Sequence, residues 1–202
     1  MKNHIELGLN RSGLATSPRM APQVLQVPQM TPRSSGDAKV IANERIVYAK
    51  DAEPVATMPP PGSLKELATT TMKLLKGQKA LVFVDKVGER MAFERAGTRL
   101  YDALLSKFDA FGSWEGGPSR SDLESIRREE PEHFRFLAGV MGMLGADATA
   151  VTPSAEVTDL CATGLRLVVS DPRADLRSSL EAILQAELVD NDCWQTLVKL
   201  AL

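Results

Sequence analysis

The sequence has little of what disulfide-stabilised, membrane-spanning or strongly charged proteins need. Its 202 residues include two cysteines, Cys161 and Cys193, which are too few for a disulfide framework. No apolar run approaches the roughly 20 residues that span a bilayer, and no segment resembles a signal peptide. The formal net charge of −2 gives no electrostatic reason to expect nucleic acid as a partner. We therefore expect a protein of the reducing cytoplasm that binds neither nucleic acid nor membrane.

Proline is unevenly distributed and divides the chain. Eight of the twelve prolines precede Gly62, and proline at that density breaks helices and leaves little continuous burial. Residues 1–62 are therefore predicted to form a mostly irregular arm. Two β-prone runs within it, 38–42 and 45–48, are predicted to be either short strands or segments that become ordered against a partner.

From Ser63 onward, apolar residues follow the three-four spacing that is typical of packed helices. Ser63 and Glu66 have the spacing of a capping box at the start of a short helix that ends near Lys76. Four longer helices follow, and Thr152-Pro153 marks the start of the third. They are predicted over residues 79–111, 120–144, 153–170 and from about 173 to 201. The pattern predicts an all-α domain over residues 63–202.

Ionisable residues occupy the apolar seams of three of these helices. They are Glu94 in the first, Glu130 and His133 in the second, and Glu187 and Asp190 in the fourth. A carboxylate is seldom buried unless it is paired or bound to a metal, because its desolvation is unfavourable by several kcal/mol or more. Glu130 and His133 lie one helical turn apart, so they share a face and can hold one metal ion.

This pattern resembles the ferritin-like superfamily of di-iron and di-manganese carboxylate bundles. In that superfamily two helices each supply a Glu, and two each supply Glu-x-x-His. Glu94 matches a lone Glu, and Glu130 with His133 matches the first Glu-x-x-His. Glu187 with Asp190 takes the place of the second, with aspartate in place of histidine. The resemblance implies a ferritin-like four-helix bundle that binds two iron or manganese ions for oxygen or peroxide chemistry or for iron handling.

The ligand from the third helix is inferred from register. Glu94 precedes Glu130 by 36 residues, and the turn between the last two helices is about five residues shorter, so the counterpart of Glu94 lies about 31 residues before Glu187. That position is Glu156, and Asp159, one turn further on, remains an alternative. Either ligand requires a long crossover between the second and third helices, for which residues 145–153 must be extended.

Several alternatives stay open at this stage. Glu94 is either a ligand or a solvated flank paired with Arg90, and Pro131 either kinks the second helix or begins it. Tyr101 is either a core residue or a redox neighbour of the metal, and Cys161 is expected to be a buried small hydrophobe.

Two functions follow, and whether the protein is an enzyme stays open between them. The first is a metal-binding protein, in the enzymatic case a di-iron oxidoreductase. The alternative is a non-catalytic bundle that binds a protein partner and whose buried acids are satisfied by Arg99, Arg127, Arg166 or Lys86. We also expect a homo-oligomer, such as a dimer.

Overall fold

The computed structural model describes residues 19, 21–30, 38–58 and 78–202. Within these residues the chain forms six α-helices and no strand, which confirms the all-α class. They are α1 (Ala21–Met30), α2 (Ala38–Asp51), α3 (Gln78–Phe111), α4 (Arg120–Met143), α5 (Pro153–Ser170) and α6 (Leu176–Ala201). The short helix and the domain boundary predicted between residues 59 and 77 lie outside the described residues. Contacts divide the chain into two units, Met1–Glu53 and Pro54–Leu202.

The first unit contains α1 and α2, so the segment predicted to be mostly irregular includes two helices. The interpretation of residues 38–42 and 45–48 as strands is wrong, because both runs lie within α2. A lone strand leaves its backbone N–H and C=O groups unpaired, whereas a helix pairs them within the segment. Alanine, lysine, glutamate and arginine between the β-branched residues favour that outcome.

In the second unit the four long helices agree closely with their predicted ranges. α4 is continuous through Pro131, so the alternative in which the helix begins there is wrong. Caps set the helix starts: the Thr152 side chain accepts from the amide of Ala155, and Ser119 and Asp122 form a capping box. α6 begins at Leu176 rather than near 173, because the Asp175 side chain caps it.

Contacts along α3 fix the directions of the other helices. The Ser154 amide, at the start of α5, donates to Asp85 near the start of α3. The Lys107 side chain, near the end of α3, donates to the carbonyl of Asp171, just after α5 ends. These contacts make α3 and α5 parallel. α4 and α6 run antiparallel to α3, since later residues of α3 meet earlier residues of both helices, as in Arg127 to Asp102 and Tyr101 to Glu187.

The bundle is therefore up-down-up-down, and the expected long crossover between the second and third helices is wrong. α3 packs against α4, α5 and α6, and α5 packs against α6. The connection between α4 and α5 consists of folded turns. Gly145 takes a left-handed φ of 72° after the helix end, and Asp147 accepts hydrogen bonds from the amide and hydroxyl of Thr149. A segment used in this way cannot span the length of the bundle.

Two apolar clusters stabilise the bundle and leave a polar layer between them along α3. One includes Val84, Val87 and Met91 of α3, and the other includes Leu100 and Leu104. Glu94 is buried between them on α3, one turn after the buried Arg90. In the part of the chain that the structure describes, no helix has both the length and the apolar composition needed to cross a bilayer.

Candidate metal centre

Glu94 lies at the centre of the polar layer, where side chains from three helices meet its carboxylate. Only 1% of the surface of Glu94 is exposed to solvent. Oε1 accepts hydrogen bonds from Nε1 of Trp194 at 3.0 Å and from a terminal nitrogen of Arg90 at 3.1 Å. Oε2 lies 3.2 Å from Nδ1 of His133. The interpretation of Glu94 as a solvated flank is therefore wrong, although the pairing with Arg90 that accompanied it is present.

Glu130 enters the same layer from α4 and is buried with 8% of its surface exposed. Its carboxylate rests against Gly97, one turn after Glu94; a Cβ atom on Gly97 would lie 2.0 Å from Oε2 of Glu130. Burial raises the pKa of Glu130 to about 8, reinforced by the charges of Glu94 and Glu187 and by a hydrogen bond with Glu94, while Arg90 acts in the opposite direction. The Glu130 carboxyl therefore retains its proton to a higher pH than an ordinary glutamate does.

Glu187 of α6 lies near enough to Glu130 to raise its pKa, and it accepts a hydrogen bond of 2.6 Å from the Tyr101 hydroxyl. Tyr101 is buried in the apolar core, as one of its two predicted roles required. Burial raises its pKa, and so do the hydrogen bond with Glu187 and the charge of that carboxylate. Tyr101 is therefore held neutral and donates a hydrogen bond to Glu187.

Asp190, a predicted metal ligand, contacts Arg90. The two side chains form an ion pair, and the Arg90 residue is fully buried at 0% exposure. The Arg90 guanidinium carbon lies 4.5 Å from the centroid of the Phe93 ring and 5.9 Å from that of Trp194, within the range of cation–π attraction.

Glu156, the predicted ligand from the third helix, does not join this cluster. It lines a separate cavity of about 140 Å³ beside Gly88, Met91 and Arg95. Its alternative, Asp159, also lines that cavity and pairs with Arg166 at 2.8 Å. The reason is the direction of α5: because α5 runs parallel to α3, its first turn lies level with the beginning of α3.

The cations predicted to satisfy the buried acids lie elsewhere. Arg127 pairs with Asp102 at 2.8 Å, and Lys86 pairs with Glu89 at 3.0 Å. Arg99 is exposed. Cys161 is exposed as well, so the expectation that it is a buried small hydrophobe is wrong.

Two contributors to the site were not identified from the sequence. Gly97 shows no pattern of its own, because a glycine within a helix indicates close packing without naming the neighbour. Trp194 stands in the apolar seam of α6, which predicts burial but not that its indole N–H bonds to Glu94.

The cluster brings together Glu94, Glu130, His133 and Glu187, with Asp190 at its edge. Among the described residues, no group of three or more His, Cys, Asp and Glu side chains is arranged as a metal ion requires. Within the cluster, Arg90 supplies positive charge to Glu94 and Asp190.

Comparisons with protein-family models, with curated proteins and with solved structures found no match to this chain.

Proposed function

We propose that this chain is a metal-binding helical bundle that uses carboxylate donors like those of the ferritin-like superfamily, within an up-down-up-down topology, and takes iron or manganese at Glu94, Glu130, His133 and Glu187. The observation that carries the proposal is the Glu94 carboxylate, which is removed from solvent and faces an imidazole nitrogen at 3.2 Å. Glu130 shares a hydrogen bond with it. A carboxylate and an imidazole at this distance need only small side-chain movements to bind one ion.

The charge balance of the layer supports a cation. Among the described residues, the layer contains four carboxyl groups, those of Glu94, Glu130, Glu187 and Asp190, and Arg90 forms ion pairs with two of them, Glu94 and Asp190. Burial is the main cause of the raised pKa of Glu130, and the charges of Glu94 and Glu187 raise it further. A divalent ion would replace the proton of Glu130 and supply the missing positive charge.

The donor set fits the proposed metals. Oxygen-rich sites with few nitrogens suit Fe(II) or Mn(II), whereas zinc and copper sites contain more imidazole or thiolate. The His133 side chain is 47% exposed, which gives an ion a route from solvent to Glu94. Such ions supply redox chemistry with oxygen or peroxide in the proteins that this sequence resembles, and the same use, or iron handling, is proposed here. The Tyr101 hydroxyl would orient Glu187 through its hydrogen bond.

Metal analysis of the purified protein tests the proposal. We expect about one to two equivalents of iron or manganese per chain after growth or reconstitution with these metals. Glu94→Gln and Glu130→Gln keep side-chain size but remove the charged donor, so both should lose most of the metal. Asp159→Asn, on the surface of α5, is the matched control and should retain it. Equal and negligible metal in all four proteins would exclude the proposed site.

A second candidate is a non-catalytic bundle in which Arg90 permanently replaces a metal as the counter-ion. It is favoured by the contacts of Arg90 with both Glu94 and Asp190. Its function would be to bind a protein partner. Absence of metal from the wild-type protein, together with unfolding on loss of Arg90, would support it.

We also propose a reducing cytoplasmic location and a homo-oligomer. Neither Cys161 nor Cys193 forms a disulfide within the chain, as a reducing compartment requires. Exposed Leu160 and Leu167 on α5 offer an apolar surface for association with a second copy.

A further inference from the structure

Arg90 differs from an ordinary structural arginine in how few hydrogen bonds hold it. One terminal nitrogen donates to Oε1 of Glu94 at 3.1 Å and forms the ion pair with Asp190. Its Nε and its other terminal nitrogen are buried without a hydrogen-bond partner. A guanidinium has five N–H donors, and a buried one fixed for structure alone normally uses most of them.

The surroundings keep the charge inside without fixing its orientation. The Phe93 and Trp194 rings attract the guanidinium through their faces, and this attraction has little directional preference. Asp190 is partly exposed and lies on α6, whereas Glu94 lies on the same helix as Arg90. Both contacts use the same terminal nitrogen of Arg90, so a movement of this side chain toward α6 would release Glu94 and keep the ion pair with Asp190.

We infer that Arg90 is a displaceable internal cation, which neutralises Glu94 when no metal is bound and moves to Asp190 alone when a divalent cation binds Glu94. The inference rests on the proposed metal site. It assigns Asp190 as the residue that retains Arg90, and not as a metal ligand.

The inference has consequences of opposite sign for binding and stability. An incoming cation has to take Glu94 from Arg90, so Arg90 lowers metal affinity. In the metal-free protein, Arg90 compensates a buried carboxylate, so its loss destabilises the fold. An arginine fixed in place would also repel the ion, so the dependence of the effect on Asp190 is what distinguishes a displaceable arginine from a fixed one.

In the test, Co²⁺ is titrated into the metal-free protein, and its binding is followed by visible absorption. Thermal unfolding is measured in parallel. Arg90→Gln should bind Co²⁺ about ten-fold more tightly than wild type, equivalent to roughly 1.4 kcal/mol. Its metal-free form should melt at a lower temperature. Arg99→Gln, which changes an exposed arginine of the same helix, should match wild type in both measurements.

Asp190 is tested by a double-mutant cycle. Asp190→Asn should weaken Co²⁺ binding about ten-fold in the wild-type background, because Arg90 then remains at Glu94. In the Arg90→Gln background the same substitution should change the affinity less than about two-fold. An equal loss in both backgrounds would make Asp190 a ligand and overturn its assignment.

Unchanged or weaker binding by Arg90→Gln, with Co²⁺ still bound by wild type, overturns the inference and leaves the metal site standing. Absence of Co²⁺ binding by both proteins removes the proposed function and the inference with it. If Arg90→Gln does not fold, Arg90→Lys keeps the charge but has a single nitrogen on a flexible stem. It should bind Co²⁺ about three-fold more tightly than wild type, and equal affinity would contradict the inference.

Discussion

Gly97 provides the space that the Glu130 carboxylate occupies, so its replacement tests the site without removing a charged group. In Gly97→Ala the new Cβ would lie 2.0 Å from Oε2 of Glu130, and the end of that flexible side chain has to move away. We expect the metal content to fall several-fold. Alanine favours a helix over glycine by about 1 kcal/mol, so the free energy of unfolding should change by less than about 2 kcal/mol.

The matched control is Gly139→Ala on α4, where a Cβ would meet no atom within 4 Å. It should raise the free energy of unfolding by about 0.5–1 kcal/mol and leave metal binding unchanged. Metal analysis and urea denaturation measure both variants. Full metal retention by Gly97→Ala would show that Glu130 is not a ligand.

Glu130 also makes stability depend on pH. Its pKa is about 8 in the folded protein and near the ordinary value of 4.5 in the unfolded chain. The folded state therefore binds the proton more tightly, and this contribution to stability is complete below 4.5 and is lost as the pH rises to 8. In metal-free protein the loss should be on the order of 5 kcal/mol.

Urea denaturation across this pH range measures the effect. Glu130→Gln stays neutral at every pH, so its free energy of unfolding should vary much less than that of wild type. Glu132→Gln, at an exposed position of the same helix, should retain the wild-type dependence. A wild-type slope in Glu130→Gln would assign the pH dependence to other groups.

The inward positions of Glu94, Glu130 and Glu187 could be predicted from the sequence, because apolar periodicity indicates which positions face the core. The burial of Arg90, the partner of Glu94, could not. Arg90 lies three residues after Val87 and four before Glu94, which is the spacing of a residue in the apolar seam. An arginine and an acid at such spacing, however, usually form a pair on the helix surface. Periodicity does not show how deeply a long side chain is buried, and only the packing of α6 over α3 determines it.

At the scale of the element, the start of α5 depends on one buried hydroxyl. Thr152 donates from Oγ1 to the carbonyl of Asp85 at 3.0 Å and accepts from the amide of Ala155 at 3.4 Å. Thr152→Val keeps the shape and removes both bonds, so it should lower the free energy of unfolding by about 1–2 kcal/mol. Thr163→Val, on the exposed face of α5, should change it by less than about 0.5 kcal/mol. Equal effects in chemical denaturation would mean that the cap does not fix this helix.

The helices were predictable and the path between them was not. Each long helix repeats its spacing over several turns and carries local caps, so its range follows from the sequence. The segment between α4 and α5 has enough residues for either a crossover or a folded turn. The turn forms because Gly145 ends α4 with a left-handed φ and Thr152 fixes the start of α5 on α3. Glu156 was assigned to the site by assuming the other path.

At the scale of the whole molecule, α5 presents an apolar stripe opposite its packed face. Its members are exposed and none is charged: Val157, Leu160, Cys161, Gly164, Leu167 and Val168. A Cβ on Gly164 would meet nothing within 4 Å, so another helix can approach closely there. A stripe of this kind can pair with itself about a two-fold axis.

We therefore expect concentration-dependent dimerisation in sedimentation experiments. Leu160→Gln combined with Leu167→Gln should shift the protein to the monomer, with helix content unchanged by circular dichroism. Leu184→Gln with Leu188→Gln, at exposed positions of α6, is the control and should dimerise like wild type. A monomeric wild-type protein at all concentrations would refute self-association.

The up-down-up-down path also has a consequence for engineering. Val84 near the start of α3 and Leu197 near the end of α6 belong to one apolar cluster, so the bundle starts and finishes at the same end. A short flexible linker can therefore join the end of α6 to the start of α3, and new termini can be opened in the turn around Gly116. The resulting circular permutant would keep Glu94, Glu130, His133 and Glu187 in register while changing the order in which their helices are synthesised.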